Sequence, residues 1–158
     1  MDAETWIARD EPGELVGGEV VDEESGSEEH AAAVVWLIVL LGAWARERGA
    51  RVFGQDWHVK VDHLKGRKPD ISVYKTRRRP YGRPDLAVEV VSPSKADRAR
   101  DLEEKVVEYA ALGIPHYLVI DPHQSLAVAY ELTVDGVYRP LWVAVRGRHS
   151  VPGCEGLE

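Results

Sequence analysis

The stretch that decides the fold is PDLAVEVVSPSKADRARDLEEKVVEYAALGIPHYLVI, residues 84–120. It has the pattern of a strand, a helix and a second strand, because an apolar run is followed by apolar residues at helical spacing and then by another apolar run. A crossover with such short loops is nearly always right-handed, so the strands at 85–91 and 117–120 are predicted to be parallel neighbours. Buried parallel strands are normally apolar throughout, and Glu89 therefore indicates either a charged partner or a function.

The sequence before this strand–helix–strand stretch predicts a hairpin and a long helix. Residues 14–21 are two short apolar runs joined by two glycines, which supply the positive φ of a tight turn. Residues 28–48 form the helix, with Ser25 or Ser27 as its cap and Gly49 as its end.

The other segments complete an α/β fold with a mixed β-sheet, a long N-terminal helix, a crossover helix and flanking β-hairpins. We expect this fold to occupy one domain, residues 1–158, with an acidic arm and hairpin at 1–26 and a hairpin and tail at 123–158. The remaining predictions are an edge strand or docked arm at 1–11, strands at 52–53, 56–62 and 70–74, a polar turn at 63–68, and hairpin strands at 126–132 and 137–145.

The apolar run at residues 31–45, AAAVVWLIVLLGAWA, is too short for a membrane span and follows an acidic segment. A helix that is apolar on nearly every face should be buried on nearly every face, by the sheet and other elements or by a second subunit, which favours a homodimer. No membrane partner is expected. The single cysteine, Cys154, fits a reducing compartment, and we expect a cytoplasmic protein.

Charge is unevenly distributed along the chain. The net charge is -7, but residues 1–30 hold 11 of the acidic residues and one basic residue, which leaves the remainder at +3. Residues 75–83, KTRRRPYGR, contain five basic residues and no acid. Such a run is either a solvated loop or a phosphate-binding surface. The arginines predicted to bind nucleic acid are Arg77, Arg78, Arg79 and Arg83.

Two carboxylates are placed to act together. Asp70 opens one predicted strand and Glu89 lies in the next, so hairpin pairing brings them to the same end of the sheet. Two hard oxygen ligands favour Mg²⁺ or Mn²⁺, which can activate water and neutralise charge on a phosphodiester. Lys105 lies at the border of the helix's apolar stripe, from where it either reaches this site or pairs with Asp101.

At this point the motifs resemble a family. KPDISV at 68–73, PDLAVEVVSPS at 84–94, DLEEKVVEY at 101–109 and LVIDP at 118–122 are similar to the Uma2 (DUF820) family, a branch of the PD-(D/E)xK nuclease superfamily. GELVGGEVV at 13–21 and the histidine that begins the long helix also match.

The resemblance implies a restriction-endonuclease-like nuclease with site residues at defined positions. Asp70 and Glu89 match the metal-binding carboxylates, with the main-chain carbonyl of Val90 as a third ligand. The lysine usual in the superfamily would stand where this chain has Val91, and the family pattern moves its role to Lys105.

Three accessory residues and one structural residue complete the predicted site. Glu29 and His30 begin the long helix, where the superfamily often places an acidic residue, and Tyr109 lies on the Lys105 side of the crossover helix. Asp85 shares a face with Glu89 but lies about 13 Å along the strand, so it is interpreted as a structural or second-site residue and not as a ligand.

These residues together predict a magnesium-dependent endonuclease that hydrolyses DNA. The alternative is an inactive nuclease-fold module that binds DNA or protein and uses its carboxylates in ion pairs. An enzyme that acts on RNA or on a smaller phosphodiester also fits the pattern.

Overall fold

A computed structural model describes residues 1–22, 26–76, 82–93 and 100–158. Within these residues the helices are α1 Ala3–Ala8, α2 Glu28–Arg48 and α3 Lys105–Leu112, and a π-helical turn, Arg100–Glu104, leads directly into α3. The strands are β1 Glu14–Val16, β2 Glu19–Val21, β3 Arg51–Phe53, β4 Val59–Asp62, β5 Lys65–Arg67, β6 Ile71–Tyr74, β7 Leu86–Val90, β8 His116–Asp121, β9 Leu126–Leu132 and β10 Tyr138–Ala144.

The larger sheet has six strands in the order β10-β9-β8-β7-β6-β3. Strands β7 and β8 are parallel, with Leu86 opposite His116 and Val90 opposite Ile120, and the other neighbours are antiparallel. The parallel pair predicted from the crossover is confirmed, and so is the C-terminal hairpin of β9 and β10.

Helices cover both faces of this sheet. The α2 face buries Leu37 and Leu41 against Val88 and Val90 of β7. On the other face, Tyr109 of α3 packs with Ala87 and Val91, which lie two positions before and after Glu89. Because side chains alternate along a strand, Glu89 points to the α3 side.

A second sheet, in the order β2-β1-β5-β4, corrects two predictions. The segment expected to be a polar turn, residues 63–68, contains β5, and the strand expected from residue 56 begins at Val59. Residue 66 is a glycine because a Cβ there would meet the Trp6 ring at 2.2 Å. Arg67, also in β5, is fully buried in ion pairs, which explains why a polar segment forms an interior strand.

The first residues form a helix where an edge strand or a docked arm was expected. The Asp2 side chain caps α1 by accepting the Thr5 N–H at 2.7 Å, and Trp6 is fully buried between α1 and the second sheet. Of the two alternatives, the docked arm agrees with the structure, although the arm is a helix.

The long helix begins and ends as its sequence predicts. The hydroxyl of Ser27 accepts the His30 N–H at 3.2 Å, and Gly49 adopts the left-handed conformation that ends the helix. Ser25, the other candidate cap, lies outside the described residues. The length and composition of α2 would suffice for a membrane span, but Leu37 and Leu41 are buried in the core.

The C-terminal tail packs back on α2. The indole N–H of Trp44 donates to the carbonyl of Glu155 at 3.0 Å. Cys154 is 2% exposed, and burial raises the pKa of its thiol to about 11. The thiol is therefore protonated at neutral pH, and its role is packing.

Candidate active site

The strand register brings the two predicted carboxylates to one end of the sheet. Ile71 of β6 pairs with Val88 of β7 in the antiparallel register. Asp70 directly precedes Ile71 and Glu89 directly follows Val88, so the same register places them opposite each other. Both are buried, at 6% and 3% exposure.

Asp70 is held by groups from α2 and β7. One of its oxygens accepts the Val90 N–H at 2.7 Å. The His30 Nε2 lies 3.3 Å from each of its oxygens. The Ser27 cap fixes the first turn of α2, and this turn delivers His30 to the site. The accessory position predicted for His30 is thus next to a predicted metal ligand.

Glu89 is held by two side chains from α3. Its Oε1 accepts from the Lys105 ammonium at 3.0 Å and from the Tyr109 hydroxyl at 2.8 Å. Lys105 and Tyr109 are one helical turn apart, so both reach the sheet from the same side of α3. Burial and then the charge of Glu89 raise the pKa of Tyr109 well above its ordinary value, which keeps the hydroxyl protonated as a donor.

Lys105 also contacts a carboxylate that the sequence interpretation missed. Its Nζ lies 3.2 Å from Oε1 of Glu14, a residue of β1 that is fully buried. Glu14 further accepts from the Arg67 guanidinium at 2.7 Å and from the Lys68 N–H at 3.3 Å. The predicted alternative partner, Asp101, has a side chain outside the described part of the structure.

Arg67 is the second residue that was missed, because residues 63–68 were interpreted as a turn. Its guanidinium binds Glu108 of α3 through two contacts, at 2.7 and 2.9 Å, besides its bond to Glu14. A continuous chain of charges therefore runs from Glu108 through Arg67, Glu14 and Lys105 to Glu89. It ties the second sheet to α3 and the main sheet.

The charges in this chain stabilise one another. Burial alone would raise the pKa of Glu14, but the positive charges of Lys105 and Arg67 outweigh burial and lower it. The pKa of Glu108 is likewise lowered, since hydrogen bonds from Arg67 and Lys65 outweigh its burial. Burial would lower the pKa of Arg67, yet Glu108 and Glu14 raise it. Glu14, Glu108 and Arg67 are therefore charged at neutral pH.

The position where the superfamily has a lysine is part of the apolar core. Val91 is fully buried and packs with Tyr109 on the α3 side of the sheet. A lysine there would face the same helix that carries Lys105. The positive charge next to Glu89 comes from α3 in this chain.

Arg83, the last residue of the basic segment, lies just before the other end of β7. Arg83 is exposed and its guanidinium lies against Gly113, where a Cβ would meet it at 2.2 Å. Arg83 precedes Glu89 by six positions, which span about 20 Å of extended chain. Asp85 accepts the Lys75 N–H at 2.7 Å, which agrees with its interpretation as structural. Arg77, Arg78 and Arg79 lie outside the described residues.

A second histidine, His123, lies next to the start of α2. The His123 Nε2, from the loop after β8, lies 3.1 Å from the Ser27 hydroxyl oxygen. Its sequence spacing gave no signal, because the contact joins residues 96 positions apart. Glu29 is exposed, and hydrogen bonds from its own backbone and from Ser27 lower the pKa of its carboxyl.

The donor set suits a magnesium ion that keeps several water ligands. Among the described residues, no group of three or more His, Cys, Asp or Glu side chains could form a metal cage. Magnesium, however, is commonly bound by one or two carboxylates together with water and substrate phosphate. Asp70 and Glu89 provide two such carboxylates at one strand end, and they fit this mode of binding.

Fold and site define the class as a restriction-endonuclease-like α/β protein. A solved structure described as "a putative nuclease belonging to DUF820", from Anabaena variabilis ATCC 29413, matches with a TM-score of 0.71 and 17% identity over 96% of this chain and 88% of that one. At this identity the likeness shows the fold, and it confirms the predicted fold class.

The chain belongs to the Uma2 family. Its sequence matches the family described as "Uma2: Putative restriction endonuclease" over residues 2–158. The resemblance noted from the motifs is thereby confirmed. No curated protein matches the sequence. Family and fold together support a nuclease of the restriction-endonuclease type.

Proposed function

We propose that this protein is a metal-dependent endonuclease that hydrolyses DNA phosphodiester bonds. The observation that carries the proposal is the strand register that places Asp70 opposite Glu89 at one strand end, with the Lys105 ammonium 3.0 Å from Glu89. Asp70, Glu89 and the main-chain carbonyl of Val90 would hold Mg²⁺ or Mn²⁺. When bound, such an ion activates water and neutralises charge on the phosphate.

Lys105 supplies positive charge that is already in position. Glu14 and Glu89 hold its ammonium from two sides, so little reorganisation is needed when negative charge builds on the scissile phosphate. The proposed role is to orient the attacking water and stabilise the phosphate oxygens. Tyr109 keeps Glu89 in place through its hydroxyl.

His30 and the Val90 N–H have a positioning role in this proposal. Both contact Asp70, so its carboxylate is fixed before any substrate binds. Groups that are held in advance lose less freedom in the reaction. Glu29, which is exposed on α2, is a weaker candidate for an accessory role.

The basic loop is proposed to bind DNA away from the scissile bond. The chain from Arg83 to Glu89 would span about 20 Å when extended, which corresponds to about six nucleotides of one strand. Arg77, Arg78 and Arg79 belong to the same basic segment. Such contacts fix the position of the duplex and carry no sequence information directly.

A second candidate is a DNA-binding or protein-binding module that has lost turnover. The observation in its favour is that Glu89 and Lys105 form a closed, buried ion pair, which a structural role would also produce. RNA or a smaller phosphodiester is the alternative substrate. A homodimer also belongs to the proposal, because α2 exposes large apolar side chains away from the sheet.

The test is cleavage of plasmid and linear DNA with Mg²⁺ or Mn²⁺, compared for wild type and Glu89→Gln. The proposal expects metal-dependent cleavage that Glu89→Gln reduces by about a thousandfold, since a metal ligand is lost. Glu131→Gln, which changes an exposed carboxylate on β9, is the matched control and should cut normally.

Cleavage that is equal in wild type and Glu89→Gln would refute the proposal, and so would no cleavage by either. DNA binding that is sensitive to salt but indifferent to metal would then favour the inactive module. Cleavage of RNA alone would change the substrate and retain the chemistry.

A further inference from the structure

Both faces of α2 carry large apolar side chains, but one face is buried and the other is exposed. Val34, Leu37 and Leu41 are buried against the main sheet. On the other side of the helix, Trp36 is 64% exposed and Val39 is 67% exposed. With about 100° of rotation per residue, the exposed row lies almost diametrically opposite the buried one.

The exposed row is symmetric in composition. In chain order it consists of an acid, a small residue, two large apolar residues, a small residue and a base: Glu29, Ala32, Trp36, Val39, Ala43 and Arg46, all exposed. The first and last members are equally far from the point midway between Leu37 and Ile38. The same holds for the second and fifth members, and for the third and fourth.

We propose that two copies of this chain pair through this row, with their α2 helices antiparallel about a two-fold axis at that midpoint. In such a pair, Glu29 faces the partner's Arg46, and Trp36 packs against the partner's Val39. Each contact occurs twice by symmetry, as in any two-fold interface between identical subunits. The inference depends on the proposed homodimer and not on DNA cleavage.

Charge and shape both favour a second copy as the occupant. An antiparallel partner is the arrangement that places the acidic end of the row against a basic end, whereas a parallel one would juxtapose like charges. Ala32 and Ala43 at the flanks allow close approach, and the large side chains lie at the centre, where interface energy concentrates. A membrane surface would instead favour a face lined with many basic residues.

The exposed row of α2 continues into a neighbouring groove. The 21-residue helix is about 31 Å long. Trp36 also forms one wall of a groove of about 520 Å³ that it shares with Leu40, Trp142 and Arg146. Helix and groove form one continuous surface, and a stable interface needs about 800 Å² from each partner.

The arrangement has a consequence for the nuclease proposal. His30 and the Asp70 carboxylate it contacts lie at the N-terminal end of α2. An antiparallel pair therefore places the two candidate active sites at opposite ends of the dimer. One dimer could then engage two positions on a nucleic acid.

The test measures the dissociation constant of the dimer by sedimentation velocity for Glu29→Arg, Arg46→Glu and the double variant. We expect wild type to sediment at twice the 17.6 kDa mass of one chain. Each single variant should raise the dissociation constant by about tenfold or more, because it creates two like-charge contacts. The double variant restores opposite charges and should restore the dimer.

The matched controls are Glu131→Arg and Arg139→Glu, which reverse an exposed ion pair on β9 and β10 and should leave the dimer intact. Val39→Asp should separate the subunits, whereas Val134→Asp, at a fully exposed turn, should not. Circular dichroism reports whether each variant is folded. A monomeric wild type, a dimer insensitive to Val39→Asp, or a double variant no better than the singles would overturn the proposal.

Discussion

The two ends of β7 carry charge in opposite ways. At Glu89 the charged groups are buried and joined by contacts of 2.7 to 3.2 Å, whereas Arg83, just before the other end, is exposed and belongs to a basic segment. Buried charges keep one geometry because each would be costly alone. Exposed arginines provide long-range attraction that salt screens. Substitutions at the first end should therefore alter rate and stability, and at the second end affinity.

The largest expected effect follows from Lys105→Met at the buried end. Loss of the positive charge next to Glu89 should reduce the cleavage rate at saturating DNA by about 100-fold to 1,000-fold. Lys105→Arg, which keeps a charge, should retain more activity than Lys105→Met. Lys60→Met, at an exposed lysine, is the control. A folded Lys105→Met protein that cuts at the wild-type rate would reduce Lys105 to a structural role.

A large effect on stability is expected from Arg67→Met. The substitution leaves the buried Glu14 and the half-buried Glu108 without their guanidinium partner, and we expect the free energy of unfolding to fall by about 3–5 kcal/mol. Urea denaturation monitored by circular dichroism measures it. Arg139→Met removes an exposed ion pair and should cost less than about 1 kcal/mol. An equal fall in the free energy of unfolding in the two variants would show that the buried ion pairs stabilise the protein no more than an exposed one.

Acid should reduce the stability that the buried charges contribute. The folded-state pKa values of Glu14 and Glu108 lie below their ordinary value of 4.5, so their contribution to stability is fully present above that pH. It is lost as the pH falls through the lowered folded-state values. Urea unfolding at a series of pH values should show the free energy decline below about pH 4.5, with a smaller decline in Glu14→Gln. Identical pH profiles would contradict the prediction.

The smallest effect is expected at the exposed end, from Arg83→Gln. DNA affinity should fall by no more than about tenfold, and the slope of log affinity against log salt should decrease by about 1. The cleavage rate at saturating DNA should stay unchanged, because Arg83 lies far from Glu89. Fluorescence anisotropy over a salt series measures the slope. A loss of rate without a loss of affinity would contradict the separation of the two ends.

The sequence was informative where a signal is local. Gly17 with Gly18 predicted the first hairpin, Gly49 predicted the end of α2, and the crossover predicted the parallel pair. An ionisable residue inside an apolar strand marked Glu89. Each of these signals lies within one element and its flanking loops, where periodicity and turn chemistry act.

The residues that were missed depend on contacts between distant segments. Glu14 and Arg67 are 53 positions apart, so neither reveals its partner in the sequence. Arg67 was assigned to a turn because a charged residue is normally exposed, and its burial requires partners from β1 and α3. Glu14 had the same signal as Glu89, a carboxylate beside apolar strand residues, and that reasoning could have found it.

The central claim is that Asp70 and Glu89 form one metal site, and Mn²⁺ binding tests it most directly. Titration followed by electron paramagnetic resonance should show a site in the wild type that is lost in both Asp70→Asn and Glu89→Gln and kept in Glu131→Gln. Circular dichroism verifies that the variants are folded. Mn²⁺ binding that survives either substitution at Asp70 or Glu89, or a folded wild type that binds none, would contradict the account.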